Sequence, residues 1–103
     1  MGVGRMLYDA MEAILRMQRL TNVEACIAVP SAPDAHLTMD SVRFHEKMGY
    51  RMVGMFHQCG YKFDTWYNMV WMEKHIGEHT HPQPPVLRFD EIREEALRQL
   101  KPR

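Results

Sequence analysis

The sequence predicts a mixed domain of the α+β or α/β class, ordered as helix, strand, helix and antiparallel hairpin, with a loosely attached C-terminal segment. Apolar residues recur close to every 3.6 positions up to Leu20, run unbroken by charge from Ala25 to Val29, and take up a period of two after Arg51. Punctuation agrees with these changes of period. Pro30 and Pro33 follow the first strand, Gly49-Tyr50 ends the second helix, and a turn-forming run from Gly60 to Thr65 splits the last apolar segment. Such an order folds into a three-stranded mixed sheet with helices packed on it.

With 103 residues the chain makes one small domain, of a size that buries roughly 60–70% of the surface its unfolded chain exposes. Thirteen basic residues balance thirteen acidic ones. That balance removes the electrostatic footprint of a nucleic-acid binder and any steering toward an anionic membrane. No apolar run approaches the ~20 residues needed to span a bilayer, and the start lacks the basic region and apolar core of a secretory signal, so a cytoplasmic protein is expected. Cys26 and Cys59 then read as reduced, buried thiols rather than a disulfide. Ten methionines suit an adaptable core or a self-association face.

The first helix spans about Arg5 to Leu20, with Leu7, Ala10, Met11, Ile14, Met17 and Leu20 on its apolar stripe. Gly2 and Gly4 stand at its front. Free N–H groups and a partial positive charge at a helix N-terminus attract anions, and glycine lets a phosphate approach the backbone. Gly-x-Gly alone is a weak signal, since neither a dinucleotide-binding fingerprint nor a P-loop is completed here.

Thr21-Asn22 reads as a turn, and Val23 to Val29 as a strand buried on both faces apart from Glu24. Ser31 to His36 fill an exposed loop, of the kind that borders sites. Thr38 or Asp40 is placed to cap a helix over Met39 to Met48, with Val42, His45 and Met48 on one stripe and Gly49 at its left-handed end. Two strands follow, about Met52 to Tyr61 and Trp66 to Lys74. Neither face of the second is simply polar, which predicts a hairpin buried on both sides or covered by a partner chain.

These segments resemble the C-terminal half of a GNAT-type N-acetyltransferase, and more narrowly its phosphinothricin-acetyltransferase-like branch. Gly2, Val3 and Gly4 match the second half of the Gln/Arg-x-x-Gly-x-Gly/Ala turn that holds the coenzyme A pyrophosphate in that family. Ser41, Phe44, His45, Glu46, Gly49 and Tyr50 fall on the Asn-x-x-Ser-x-x-Leu-Tyr/His-Glu-x-x-Gly-Phe pattern, with Thr38 where Asn is usual. Gly60, Lys62, Trp66, Met72 and Glu73 fall on the branch's Gly-x-Lys-x-x-x-Trp turn and following Met-Glu strand.

The resemblance implies an acetyl-coenzyme A-dependent N-acetyltransferase acting on a small primary amine. It further implies that Gly2, Val3, Gly4 and Arg5, with Thr38 and Ser41, contact the coenzyme. His45 takes the place of the tyrosine that protonates the departing thiolate, and an imidazole is suited to donate a proton there; packing on the helix's apolar stripe is the alternative reading. Tyr61, Trp66, Tyr67 and Asn68 stand where the branch builds its amine pocket and dimer face, so substrate contact or a plain aromatic core are both open.

The resemblance covers Gly2 to Glu73, a partial GNAT fold whose mixed sheet lacks the family's N-terminal strands. Residues 1–76 are thus expected to form the C-terminal part of an acetyltransferase domain, and residues 77–103 a proline-rich linker and a short helix capped by Asp90. A homo-oligomer, most simply a dimer, or a complementing chain is expected to cover what is exposed. A fragment, a self-associating truncated protein and half of a split enzyme are the three readings; a non-catalytic remnant or assembly module is the alternative to catalysis. His57-x-Cys59 and the later His75, His79 and His81 raise a metal site. No second ligand pair stands at zinc-site spacing and the later stretch reads as solvated, so no metal is expected.

Overall fold

The computed structural model describes residues 2–31 and 36–100, the side chains of residues 36–38 excepted. Its elements are α1 (Val3–Met17), β1 (Asn22–Pro30), α2 (His36–Lys47), β2 (Arg51–Lys62), β3 (Thr65–His75) and α3 (Phe89–Gln99). The fold class and the order of elements follow the sequence reading.

The strands form one sheet in the order β1-β3-β2. β2 and β3 are antiparallel neighbours, paired from Arg51 opposite Glu73 to Lys62 opposite Thr65. On the other side of β3, Ser31 N–H donates to Trp66 O at 3.0 Å and Ile76 N–H to Thr21 O at 2.8 Å, so β1 also runs against β3. The three described strands are therefore antiparallel throughout, not mixed. β1 and β2 still point the same way, as a strand-helix-strand unit requires, but β3 inserts between them and meets each head to tail.

Packing divides the chain into two units, one of residues 24–74 and one of residues 1–23 with 75–103. In the first, Ile27, Val29, Val42, Met48, Tyr50, Val70 and Met72 form the buried core. Burial along β1 alternates, with Glu24, Cys26 and Ala28 exposed. This corrects the reading of a strand buried on both faces: β1 is an edge of the sheet, and one of its faces is uncovered. Both cysteines are free, as expected, but exposed rather than buried. β2 is exposed along most of its length, so the hairpin is not buried on both sides.

In the second unit α1 packs with α3. Glu12 is buried at 2% exposure, whereas Leu7, on the apolar stripe, is 62% exposed and Met11 38%. The stripe thus does not mark the covered face. Burial of the carboxylate is offset by Arg16, whose Nη2 lies 3.4 Å from Glu12 Oε1 and whose Nε donates to Ile76 O at 2.9 Å. The segment after β3 straps the end of α1: Leu87 N–H donates to Gln18 O at 2.9 Å, Gln18 Nε2 to Leu87 O at 3.1 Å and Arg19 Nη1 to Pro85 O at 3.3 Å.

Two caps differ from expectation. α2 begins at His36, so Thr38 and Asp40 lie within it and do not cap it. Asp40 instead accepts from Arg43 Nη1 at 3.3 Å, one helical turn on; the side chain of Thr38 lies outside the described residues. At α3 the N-cap is Arg88 rather than Asp90. Glu91 reaches back to accept the Arg88 N–H at 2.8 Å, which leaves Asp90 in the first turn, where a negative charge favours the helix dipole.

Candidate functional site

The end of α2 is built by its backbone. Tyr50 N–H donates to His45 O at 2.9 Å and Gly49 N–H to Glu46 O at 3.0 Å, with Gly49 at φ +97°. That is the Schellman pattern, and it depends on a residue free to adopt the left-handed region. His45 stands three positions before the cap and is buried at 7% exposure. Its ring meets Phe44 at 5.6 Å and 87° and Tyr50 at 5.0 Å and 82°.

His45 Nδ1 lies 2.8 Å from Ser41 O, one turn back. A carbonyl oxygen only accepts, so Nδ1 carries the proton donated to it. Ser41 therefore contributes its carbonyl to the orientation of the imidazole, a role invisible in its side chain. The packing that holds the ring in place is compatible with either of the two roles read from the sequence.

The hairpin brings two of the candidate aromatics together. Tyr61 is paired with Trp66 across the strands, their rings 5.0 Å apart, and both stay exposed at 58% and 49%. Tyr61 Oη donates to Asp64 Oδ1 at 3.3 Å. Phe63 and Asp64, the two-residue turn, both have positive φ, at 53° and 56°, as a type I′ turn requires. Tyr67 is half-buried opposite Gly60.

Asn68 does something the sequence did not signal. Between Phe56 opposite Met69 and Gly60 opposite Tyr67 the register slips, so His57, Gln58 and Cys59 bulge out of β2 across from Asn68. Gln58 takes φ 47°, and its N–H donates to Asn68 Oδ1 at 2.8 Å. The amide replaces the ladder bond that the bulge removes. A second slip at Val53 opens an apolar groove of 380 Å³ lined by Val53, Gly54, Met55, Phe56 and Trp71.

Gly2, Val3, Gly4 and Arg5 begin α1 in the other unit. Gly2 is the N-cap, no side chain caps the helix, and its first turn holds no acidic residue. A Cβ on Gly2 would meet nothing within 4 Å. The backbone N–H groups of this turn are accordingly accessible to an anion, and no carboxylate in the turn repels one. Arg5 sits beside Asp9 at 3.9 Å, both exposed. Among the described residues no group of three or more His, Cys, Asp or Glu is placed to hold a metal ion, and no helix is long and apolar enough to cross a membrane.

A family model described as an acetyltransferase (GNAT) domain matches residues 1–71. The chain is 29% identical over 84 residues to phosphinothricin N-acetyltransferase of Streptomyces viridochromogenes, covering 82% of this chain and 42% of that protein. It is 30% identical over 73 residues to the Streptomyces coelicolor protein of the same name, covering 71% and 39%. Among solved structures, a GNAT superfamily phosphinothricin acetyltransferase from Sinorhizobium meliloti, in complex with AcCoA, superimposes with a TM-score of 0.65 at 20% identity, over 81% of this chain and 41% of that one. A putative acetyltransferase from Salmonella typhimurium, solved with its cofactor acetyl-CoA, gives 0.62 at 25% identity over 79% and 43%. The chain thus spans about two fifths of the length of the relatives it matches.

Proposed function

The chain belongs to the GNAT acetyltransferase family, and from that premise we propose that it forms the coenzyme-binding, C-terminal part of an acetyl-coenzyme A-dependent N-acetyltransferase acting on a small primary amine. The observation that carries this reading is the start of α1: a Gly-x-Gly turn without a capping side chain and without an acidic residue in the first turn, open above Gly2. The N–H groups of Val3, Gly4 and Arg5 hold the pyrophosphate.

Acetyl transfer forms a nitrogen–carbonyl bond as the thioester C–S bond breaks. His45, held through Nδ1 by Ser41 O at 2.8 Å, delivers a proton from Nε2 to the departing thiolate, and the proton that the attacking nitrogen sheds as the amide forms restores the ring. Tyr61, Trp66, Tyr67 and Asn68 border the amine. Of these Asn68 acts through the bulge it holds at Gln58, and the Tyr61–Trp66 pair offers aromatic surface. The protein works in the cytoplasm.

A second reading, a non-catalytic GNAT-derived module that associates with itself or with a complementing chain, is favoured by exposed apolar surface. Val3, Met6 and Leu7 on α1 are each 62% exposed, and Phe56 on β2 is 63% exposed, the kind of side chain that a partner surface covers. The partner is most simply a second copy, giving a two-fold dimer. Light scattering at micromolar concentration is expected to return twice the chain mass; a stable, well-folded monomer overturns the dimer.

Calorimetric titration with acetyl-coenzyme A separates the two readings. Saturation at one coenzyme per chain, abolished by Gly4→Glu, is the outcome expected of a working coenzyme site. No binding at millimolar coenzyme leaves the module reading. Binding without release of free thiol from any of a panel of amines, unchanged by His45→Phe, places the acceptor half of the enzyme outside this chain.

A further inference from the structure

His75 closes β3, and His79 stands four residues on, where the strap toward α3 begins. Their rings lie 4.7 Å apart between centroids, inclined at 60°. His79 Nε2 lies 2.6 Å from Asn22 Oδ1. The amide oxygen accepts, so Nε2 holds the proton and the neutral ring presents a lone pair at Nδ1. Metal-binding histidines are arranged in this way: one ring N–H is given to an oxygen acceptor, which fixes the tautomer and aims the other nitrogen.

The ring spacing fits a shared ion. With metal–nitrogen bonds of about 2.0 Å and about 1.1 Å from ring nitrogen to ring centre, two imidazoles on one ion have centres about 4.4 Å apart at a 90° angle and about 5.1 Å apart at a tetrahedral one. The observed 4.7 Å falls between them. The sequence reading set these histidines aside because no second ligand pair stands at zinc-site spacing and the stretch reads as solvated; the bend at Gly77 is what brings the two rings within 4.7 Å.

We infer that His75 and His79 form a two-histidine site for a divalent transition-metal ion of borderline softness, with Asn22 orienting His79 and water completing the coordination shell. Imidazole donors select Cu²⁺, Ni²⁺ and Zn²⁺, with Cu²⁺ bound most tightly, over the oxygen-seeking Mg²⁺ and Ca²⁺. The bound ion staples the end of β3 to the start of the strap and, through Asn22, to the start of β1.

The test is calorimetric titration of the full chain, free of any histidine tag, with Cu²⁺, Ni²⁺, Zn²⁺ and Mg²⁺ chlorides. One ion per chain is expected for the first three, tightest for Cu²⁺, and none for Mg²⁺. His75→Ala and His79→Ala each weaken binding at least tenfold, Asn22→Ala weakens it by about 10–100-fold, and His81→Ala leaves it unchanged. All four side chains are exposed, so circular dichroism will verify that the variants fold. The melting temperature rises with the ion in the parent chain and not in the His75 or His79 variants. Binding that survives both of these substitutions, binding lost on His81→Ala, or no binding at millimolar ion overturns the site.

Discussion

The His45 imidazole stands edge-on to the Tyr50 ring, 5.0 Å between centroids, and the same two residues are joined through the backbone by the 2.9 Å bond from Tyr50 N–H to His45 O. One local motif therefore sets the end of α2, the direction in which β2 departs and the orientation of the ring proposed to handle the proton.

Gly49 is what allows that motif, and replacing it tests the arrangement. At φ +97° an added Cβ is strained, and it would also lie 3.2 Å from Lys74 Cε. The lysine chain moves aside easily, so backbone strain dominates. Gly49→Ala is expected to destabilise the chain by about 1–2 kcal/mol, read as a lower urea midpoint with an unchanged slope.

The hairpin turn carries strain that can be removed. Phe63, 80% exposed, and Asp64 both adopt positive φ, where Asn and Gly are at ease. The double substitution Phe63→Asn and Asp64→Gly, which installs an Asn-Gly turn, is expected to stabilise the chain by about 1 kcal/mol. The Lys62 ammonium over the Phe63 ring and the Tyr61 bond to Asp64 are lost, but both are exposed and weak. A raised thermal midpoint is the readout.

Asn68 is expected to matter through the bulge. Asn68→Ala removes the acceptor of the Gln58 N–H and costs about 1 kcal/mol, near the net worth of one hydrogen bond. Asn68→Asp keeps the acceptor and most of the stability. Hydrogen exchange at the Gln58 amide separates the cases: it accelerates in Asn68→Ala and stays slow in Asn68→Asp.

Glu95 gives α3 an acid-sensitive turn. A hydrogen bond from Gln99, and then the charge and hydrogen bond of Arg98, hold its carboxyl below the ordinary value of 4.5. A group whose value is lowered on folding stabilises the folded state above that ordinary value, and the contribution is lost as pH falls through the lowered one. Helicity measured by circular dichroism between about pH 5 and pH 2 is expected to fall more steeply in the parent than in Glu95→Gln, which has no such proton to bind.

What the sequence determined by itself is local. Gly49 marked a left-handed helix end because few other residues tolerate that conformation, the run from Gly60 to Thr65 marked the hairpin turn, and the changes of period marked strands and helices in their right order. What only the tertiary structure decided is which faces are covered and which distant groups meet. α1 buries Glu12 and exposes Leu7, because burial depends on the neighbour and the carboxylate has Arg16 beside it. Cys26 is exposed because it lies on the face of β1 that nothing covers. Asn68 is committed to a bulge set by β2's register, and His79 meets Asn22 across 57 residues of chain. Periodicity reports the conformation of a segment. Burial, capping partners and side-chain pairings are properties of contacts between segments, and no single stretch of sequence contains them.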